Sequence, residues 1–370
     1  MKYVSLFSGI GGLESSSVLP EMLCDINPAC RSALQLRFPS IPVWDDVCTL
    51  NPPLADVVAG GFPCQDISTG GKQAGFSGHR SSLFYQMLRV ASECRASTIV
   101  AENVPNLIDM QGGAVMRAVI ESLVEAGFDQ IGWRLLNARQ FGLPQQRNRV
   151  FLVASKCADV ARSVHRPLPS VVSEDPSGAA DGFYWTAGIQ SICYSRGFAP
   201  TLKVGSSLSI PSPPAVFFDG VVRKLTAPEC LRLQGFDPDA FVGIAEKNLL
   251  LMAGNAVPVP AGHFVMSGIQ APVHGLDLHE SPQFGWSRYP RHGLYTDGVL
   301  FEVTHEHGPL ASNLWDMIDR DNRAPLSCRA SSGLLRRLQR SEKDCPAPLL
   351  EALRRLTVDS TTDQESVVRI

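Results

Sequence analysis

Short apolar runs and stretches of helical period take turns along the first 155 residues. Tyr3-Val-Ser-Leu-Phe7, Glu21-Met-Leu-Cys-Asp25, Ala55-Asp-Val-Val-Ala-Gly-Gly61 and Thr98-Ile-Val-Ala-Glu102 are brief, mostly apolar and bounded by turn formers, which is how buried strands read. Residues 132–136 and 150–154 add two more. Between these runs the period lengthens. Leu83, Phe84, Met87, Leu88 and Ala91 form one helical face, and Val115, Val119, Ile120 and Leu123 form another. Asn27 before Pro28 reads as the cap and first residue of a helix. Strands alternating with helices predict an α/β, doubly wound sheet.

Over residues 156–218 the periodicity fades, and Pro, Ser and Gly become frequent. It returns at Arg223-Lys-Leu-Thr226-Ala-Pro-Glu229, where Thr226 and Glu229 have the spacing of a capping box. Residues 284–314 mix aromatics with Gly and His. Leu334-Leu-Arg-Arg-Leu338 and Leu349-Leu-Glu-Ala-Leu-Arg-Arg-Leu356 predict two short amphipathic helices with arginine faces, and the polar stretch 357–365 is expected to lack structure.

Composition narrows the class. With 370 residues, 44% hydrophobic and 19% charged, the chain can bury a large core. It has neither a membrane-length apolar stretch nor a long apolar signal core after Met1, so a cytoplasmic place is expected. Ten cysteines without a C-x-x-C pair argue against a disulfide framework or a zinc site. His305-Glu-His307 reads as a strand face, and no metal site is expected. The net charge of −3 does not advertise nucleic acid, although Lys72, Arg80, Arg139, Arg147, Arg149, Lys203, Arg223 and Lys224 gather around the segments that carry chemistry.

Gly60-Gly-Phe-Pro-Cys-Gln-Asp-Ile-Ser68 sets Cys64 on a turn that Pro63 stiffens, directly after an apolar strand. A buried cysteine is commonly a small core residue, but this one has a nucleophile's perch. Ser8-Gly-Ile-Gly-Gly-Leu-Glu14 reads as a glycine turn leading into a helix, and Asp25 ends the next strand where an acid can bind ribose hydroxyls. Glu102 also ends a strand. Gln145, Arg147 and Arg149 alternate and point to one side at strand spacing. The glycine-rich residues 70–79 read as a loop able to open and close.

Gly-Phe-Pro-Cys64-Gln with Ile-Ser68, then Gly71-Lys-Gln and Arg80-x-x-Leu83-Phe84, resembles the catalytic motif and mobile loop of the bacterial or phage DNA cytosine-5 methyltransferases. Glu102-Asn-Val, Gln145-x-Arg147-x-Arg149, Ala199-Pro-Thr201-Leu202 and Ala253-Gly-Asn255-Ala-Val-Pro258 follow in the family's order, with Ala256 where the family more often has serine. The resemblance implies an S-adenosylmethionine-dependent methyltransferase (Rossmann-like) fold. It implies a cofactor pocket of Phe7, Gly9, Gly11, Asp25, Ile26, Asp46, Val47, Pro63, Leu83 and Asn255. Catalysis would fall to Cys64, Glu102, Arg147 and Arg149, and DNA contact to Ser68, Lys72, Arg80, Gln145 and Thr201. The chain then divides into a catalytic and cofactor-binding domain at 1–155, a target-recognition region at 156–218, late catalytic motifs at 219–270 and an extension of unassigned role at 271–370. The implied partners are duplex DNA and a paired restriction enzyme. Two rivals remain: an RNA (tRNA) cytosine methyltransferase on the same fold, and a DNA-binding regulator without turnover.

Overall fold

The computed structural model describes residues 1–14, 18–63, 83–171, 180–185, 192–203, 213–283, 289–306, 308–311, 313–341 and 345–365. Its first half contains β1 (Tyr3–Leu6), β2 (Met22–Cys24), α1 (Pro28–Arg37), β3 (Val43–Trp44), β4 (Val57–Gly60), α2 (Leu83–Cys94), β5 (Thr98–Asn103), α3 (Asn106–Asp109), α4 (Ala114–Glu125), β6 (Gln130–Asn137), β7 (Gln145–Gln146) and β8 (Asn148–Ser155). Then come α5 (Ala158–Arg162), β9 (Asp181–Phe183), β10 (Ala199–Pro200), β11 (Ala215–Phe218), β12 (Val221–Lys224), α6 (Ala227–Arg232), α7 (Glu246–Asn255) and α8 (Val259–Gln270). The last are β13 (Glu280–Gln283), β14 (His292–Thr296), β15 (Val299–Val303), α9 (Cys328–Ser341) and α10 (Ala347–Glu365).

Among the described residues, ten strands form one sheet in the order β13-β15-β14-β6-β8-β5-β4-β1-β2-β3, parallel from β5 through β3 and antiparallel on the other side. Alternate residues feed its two faces. Val4, Leu6, Val58, Ile99, Leu152 and Ala154 meet α2 and α4, while Tyr3, Val57, Ala59, Phe151 and Val153 meet α8. Both caps read from the sequence are present: Asn27 accepts from Ala29 N, and Thr226 and Glu229 form the reciprocal box. No single helix among the described residues is long and apolar enough to cross a membrane.

Three expectations are corrected. The glycine turn after β1 does not open a helix among the described residues, and α8 instead packs there, with Gly262 against the Gly12 carbonyl. Residues 357–365, expected to lack structure, continue α10. The extension after residue 271 is not one appendage. β14, β15 and β13 lengthen the central sheet beyond β6, and the edge strand β13 carries Pro282, as an edge permits. α9 and α10 lie elsewhere, on a second sheet of order β12-β11-β9.

Candidate active site

The chain works outward from β1 through β2 to β3, then returns to lay β4 on the other side of β1, leaving the carboxyl ends of β1 and β4 open to a shared crevice. Beyond β1, Phe7, Gly9 and Gly11 have φ of 53°, 57° and 84°. A phenylalanine in this left-handed region is strained, and the strain is held by its surroundings. Asp25 accepts from Gly9 N at 2.7 Å and from Asn27 N at 2.9 Å, one to each carboxylate oxygen. Arg37, in the last turn of α1, donates to the carbonyls of Ile10 and Gly11, and its guanidinium lies 5.0, 4.9 and 5.6 Å from the ring centres of Phe38, Phe236 and Phe241. Sequence spacing gave no sign of this clamp.

Around the turn lie the other residues expected to hold the cofactor. Burial raises the proton affinity of Asp25, although two backbone N–H groups and Arg31 oppose it. Its oxygens retain lone pairs for further donors. Ile26 beside it is 72% exposed, an apolar surface left bare next to an acid. Asp46 accepts from Cys48 N at 2.9 Å, and Val47 is buried in the core. At the far edge, a Cβ on Gly12 would lie 2.2 Å from the Val257 carbonyl, so only glycine lets the last motif close against the first. Asn255, two residues earlier, is exposed at the end of α7.

The second wall is built from β4, β5 and β8. Glu102 on β5 takes the Arg149 Nε at 3.0 Å on Oε1, and its Oε2 has no donor among the described residues. Burial raises the Glu102 pKa, with Arg149 and Arg147 pulling it back. A Cβ on Gly61 would stand 2.8 Å from Oε2, so the chain leading to Cys64 passes directly over this carboxyl. Asn103 fixes that approach, donating from Nδ2 to the Phe62 carbonyl at 2.9 Å while its Oδ1 accepts from Val104 N. Its place in Glu102-Asn-Val was the available signal. Pro63 follows, exposed; Cys64, Ser68, Lys72 and Arg80 lie outside the described residues. Leu83 opens α2 and packs partly buried on the core.

Gln145, Arg147 and Arg149 do not act as one face. Gln145, expected at DNA, is fully buried; it donates to the Leu233 carbonyl at 2.8 Å and accepts from Leu202 N at 3.0 Å. Arg147, expected in catalysis, is also fully buried and donates to the carbonyls of Leu202, Gly254 and Ala256 at 3.0, 3.0 and 2.7 Å. β7 ends at Gln146 and β8 starts at Asn148, so the chain bends at Arg147 and sends it away from Arg149. Both buried side chains tie the segments at Leu202, Leu233 and Gly254 to the sheet. Main-chain carbonyls take the arginine, that of Ala256 among them, so this bond does not involve the side chain at 256. Thr201 donates to the Gln146 carbonyl.

Comparisons agree with this layout. The family model for C-5 cytosine-specific DNA methylase matches residues 1–179 and 198–271. Type II methyltransferase M2.BsuMI of Bacillus subtilis (strain 168) is 34% identical over 311 residues, covering 76% of this chain and 78% of its own. Type II methyltransferase M.MspI of Moraxella sp is 28% identical over 312 residues, covering 76% and 73%. A crystal structure of Spodoptera frugiperda DNMT2 aligns over 73% of this chain and 99% of its own with a TM-score of 0.51 and 17% identity, a likeness of fold. The positive-φ glycine turn, the Asp25 carboxylate with spare lone pairs and the bare Ile26 side chain fit S-adenosylmethionine, whose ribose, adenine and amino-acid ends need those chemistries. The match extends over most of the chain and falls on the residues that build the crevice: the chain belongs to the C-5 cytosine-specific DNA methylase family and is an S-adenosylmethionine-dependent DNA methyltransferase.

Proposed function

We propose that the crevice methylates C5 of a cytosine turned out of duplex DNA, through a covalent bond between the Cys64 sulfur and C6. The ring carbon C5 is a poor nucleophile, and C6 is inaccessible to a thiol inside the stack. Addition of the Cys64 thiolate to C6 pushes electrons toward C5 and N3. Glu102, in its proton-bearing form, hydrogen-bonds N3 and stabilises that charge, and Arg149 holds O2. Phe7, Gly9, Gly11, Asp25, Ile26, Asp46 and Asn255 would hold S-adenosylmethionine, which would supply an electrophilic methyl on sulfur. The C5–methyl bond would form as the methyl–sulfonium bond breaks, leaving a neutral thioether; loss of the C5 proton to a base then lets the C6–S bond break and restores the thiolate.

The raised proton affinity of Glu102, with its Oε2 directed at the backbone that leads to Cys64, is the observation that supports this reading most. Asn103 and Gly61 position the turn, while Arg147 and Gln145 act at one remove by fixing the strand that bears Arg149. The names of the Type II relatives support a paired restriction enzyme, whose cleavage should be blocked on DNA that this chain has methylated. Transfer of labelled methyl from S-adenosylmethionine to duplex DNA and to tRNA tests the whole: label on DNA cytosine alone, lost in Cys64→Ser, is expected. Label on tRNA, or undiminished transfer by the serine variant, contradicts it.

A further inference from the structure

We propose that α9 is a phosphate-binding element of the recognition lobe, by which the segment beyond the family match grips duplex DNA beside its target; this rests on the DNA-methylating function above. The family match ends at residue 271, yet α9 and α10 are built into the lobe. Leu334 and Leu338 of α9 and Leu349, Ala352 and Leu353 of α10 share one core with Phe183, Ala215 and Val222 from the three strands of the lobe's sheet. Their inward faces are thus accounted for, and their outward faces differ. α9 carries Arg329, Arg336, Arg337 and Arg340 with no acid within the helix. The α10 sequence carries Arg354 and Arg355 together with the acids Glu351, Asp359, Asp363 and Glu365, and Arg355 already pairs with Glu351.

Arg329 and Arg336 are exposed and seven residues apart, hence on one side of α9, opposite Leu334 and Leu338. Next to them Arg337 donates to the Trp185 carbonyl. The Trp185 ring carries Lys224 Nζ at 4.3 Å, and neighbouring Tyr184 carries Lys203 Nζ at 4.1 Å. Tyr184 donates to the Thr201 carbonyl and Thr201 to the Gln146 carbonyl, so this basic and aromatic cluster runs on to β7, which leads through Arg147 into the strand that bears Arg149. Cations gathered without intervening acids on one helix repel each other, and a polyanion laid along them relieves that repulsion while releasing its own counterions. Guanidinium groups suit phosphate oxygens in particular.

Binding of the full-length protein to a cognate and an unrelated duplex across a salt series tests this. In Arg329→Ala/Arg336→Ala, the slope of log affinity against log salt should flatten by about 0.9 for each phosphate no longer neutralised, equally for both duplexes. Arg354→Ala/Arg355→Ala, equal in charge removed but on α10, should keep the wild-type slope. An unchanged slope in the α9 variant, or equal flattening in both variants, overturns the inference while leaving the function intact. Wild-type protein that neither binds duplex DNA nor methylates it defeats the function and the inference together.

Discussion

Two buried arginine–carboxylate pairs in this molecule have the same chemistry and opposite states of completion. Between β12 and α6 each oxygen of Glu229 accepts twice: Oε1 from Arg223 Nη2 at 2.7 Å and Asp319 N at 2.6 Å, and Oε2 from Arg223 Nη1 at 2.9 Å and Thr226 N at 2.7 Å. Both side chains are sealed from water, at 1% and 0% exposure. In the crevice Glu102 has one donor among the described residues, Arg149 Nε, and both side chains keep about a tenth of their surface open, at 12% and 10%. A saturated carboxylate has no bond left to offer, and its worth lies in joining β12, α6 and the chain at Asp319. An unsaturated one, whose burial raises its proton affinity, keeps an oxygen for a ligand.

The same substitution should therefore read out oppositely at the two sites. Glu102→Gln keeps an acceptor for Arg149 but loses the transferable proton, so the rate of methyl transfer should fall by roughly 10²–10⁴ with little change in unfolding free energy. Glu229→Gln points an amide N–H₂ at donors already in place, and should cost about 3–5 kcal/mol of stability, as breaking a buried pair does. Single-turnover methylation and urea unfolding of both variants check this. Equal loss of stability at the two sites would erase the distinction.

A third carboxyl sharpens the comparison. Glu14 is buried beneath the glycine turn, accepts from the Ser5 hydroxyl, and leaves Oε2 without a partner among the described residues; burial pushes its pKa up to about 7. The folded chain then binds more protons than the unfolded one between about pH 4.5 and 7, so this group's contribution to stability falls as pH rises through that window, by up to ~3 kcal/mol. His165 and His305 act in the reverse sense, since burial lowers both, and stability declines as pH drops below the ordinary histidine range. Glu14→Gln leaves that histidine part unchanged. Urea midpoints at pH 5 and 7.5 should show the variant gaining on wild type at the higher pH; parallel profiles would mean that Glu14 is ionised at little cost.

The order of motifs, the parallel strands and both helix caps were legible because each depends on residues close in sequence. The places of Asp25 and Glu102 at strand ends were legible for the same reason, whereas the approach of Val257 to Gly12 was open only to the family resemblance. What lay beyond reach was set by distant partners. Strand spacing assigned Gln145, Arg147 and Arg149 to one side, but the bend at Arg147 depends on carbonyls from Leu202, Gly254 and Ala256. The leucines of α9 announced a helix, yet nothing local said that they would meet Phe183 and Val222. Glu280-Ser-Pro-Gln283 is polar and contains proline, so it reads as a loop until β15 pairs with it at the sheet's edge.

The covalent role of Cys64 is tested most directly by incubating the protein and S-adenosylmethionine with duplex DNA that carries 5-fluorocytosine at the methylated position. Fluorine cannot leave C5 as a proton does, so after methyl transfer the C6–sulfur bond persists. A denaturation-resistant protein–DNA adduct is expected for wild type, with peptide mapping placing the linkage at Cys64, and none for Cys64→Ser. Methylation of ordinary duplex without any trapped adduct on the fluorinated one, or an equal adduct in the serine variant, would contradict it.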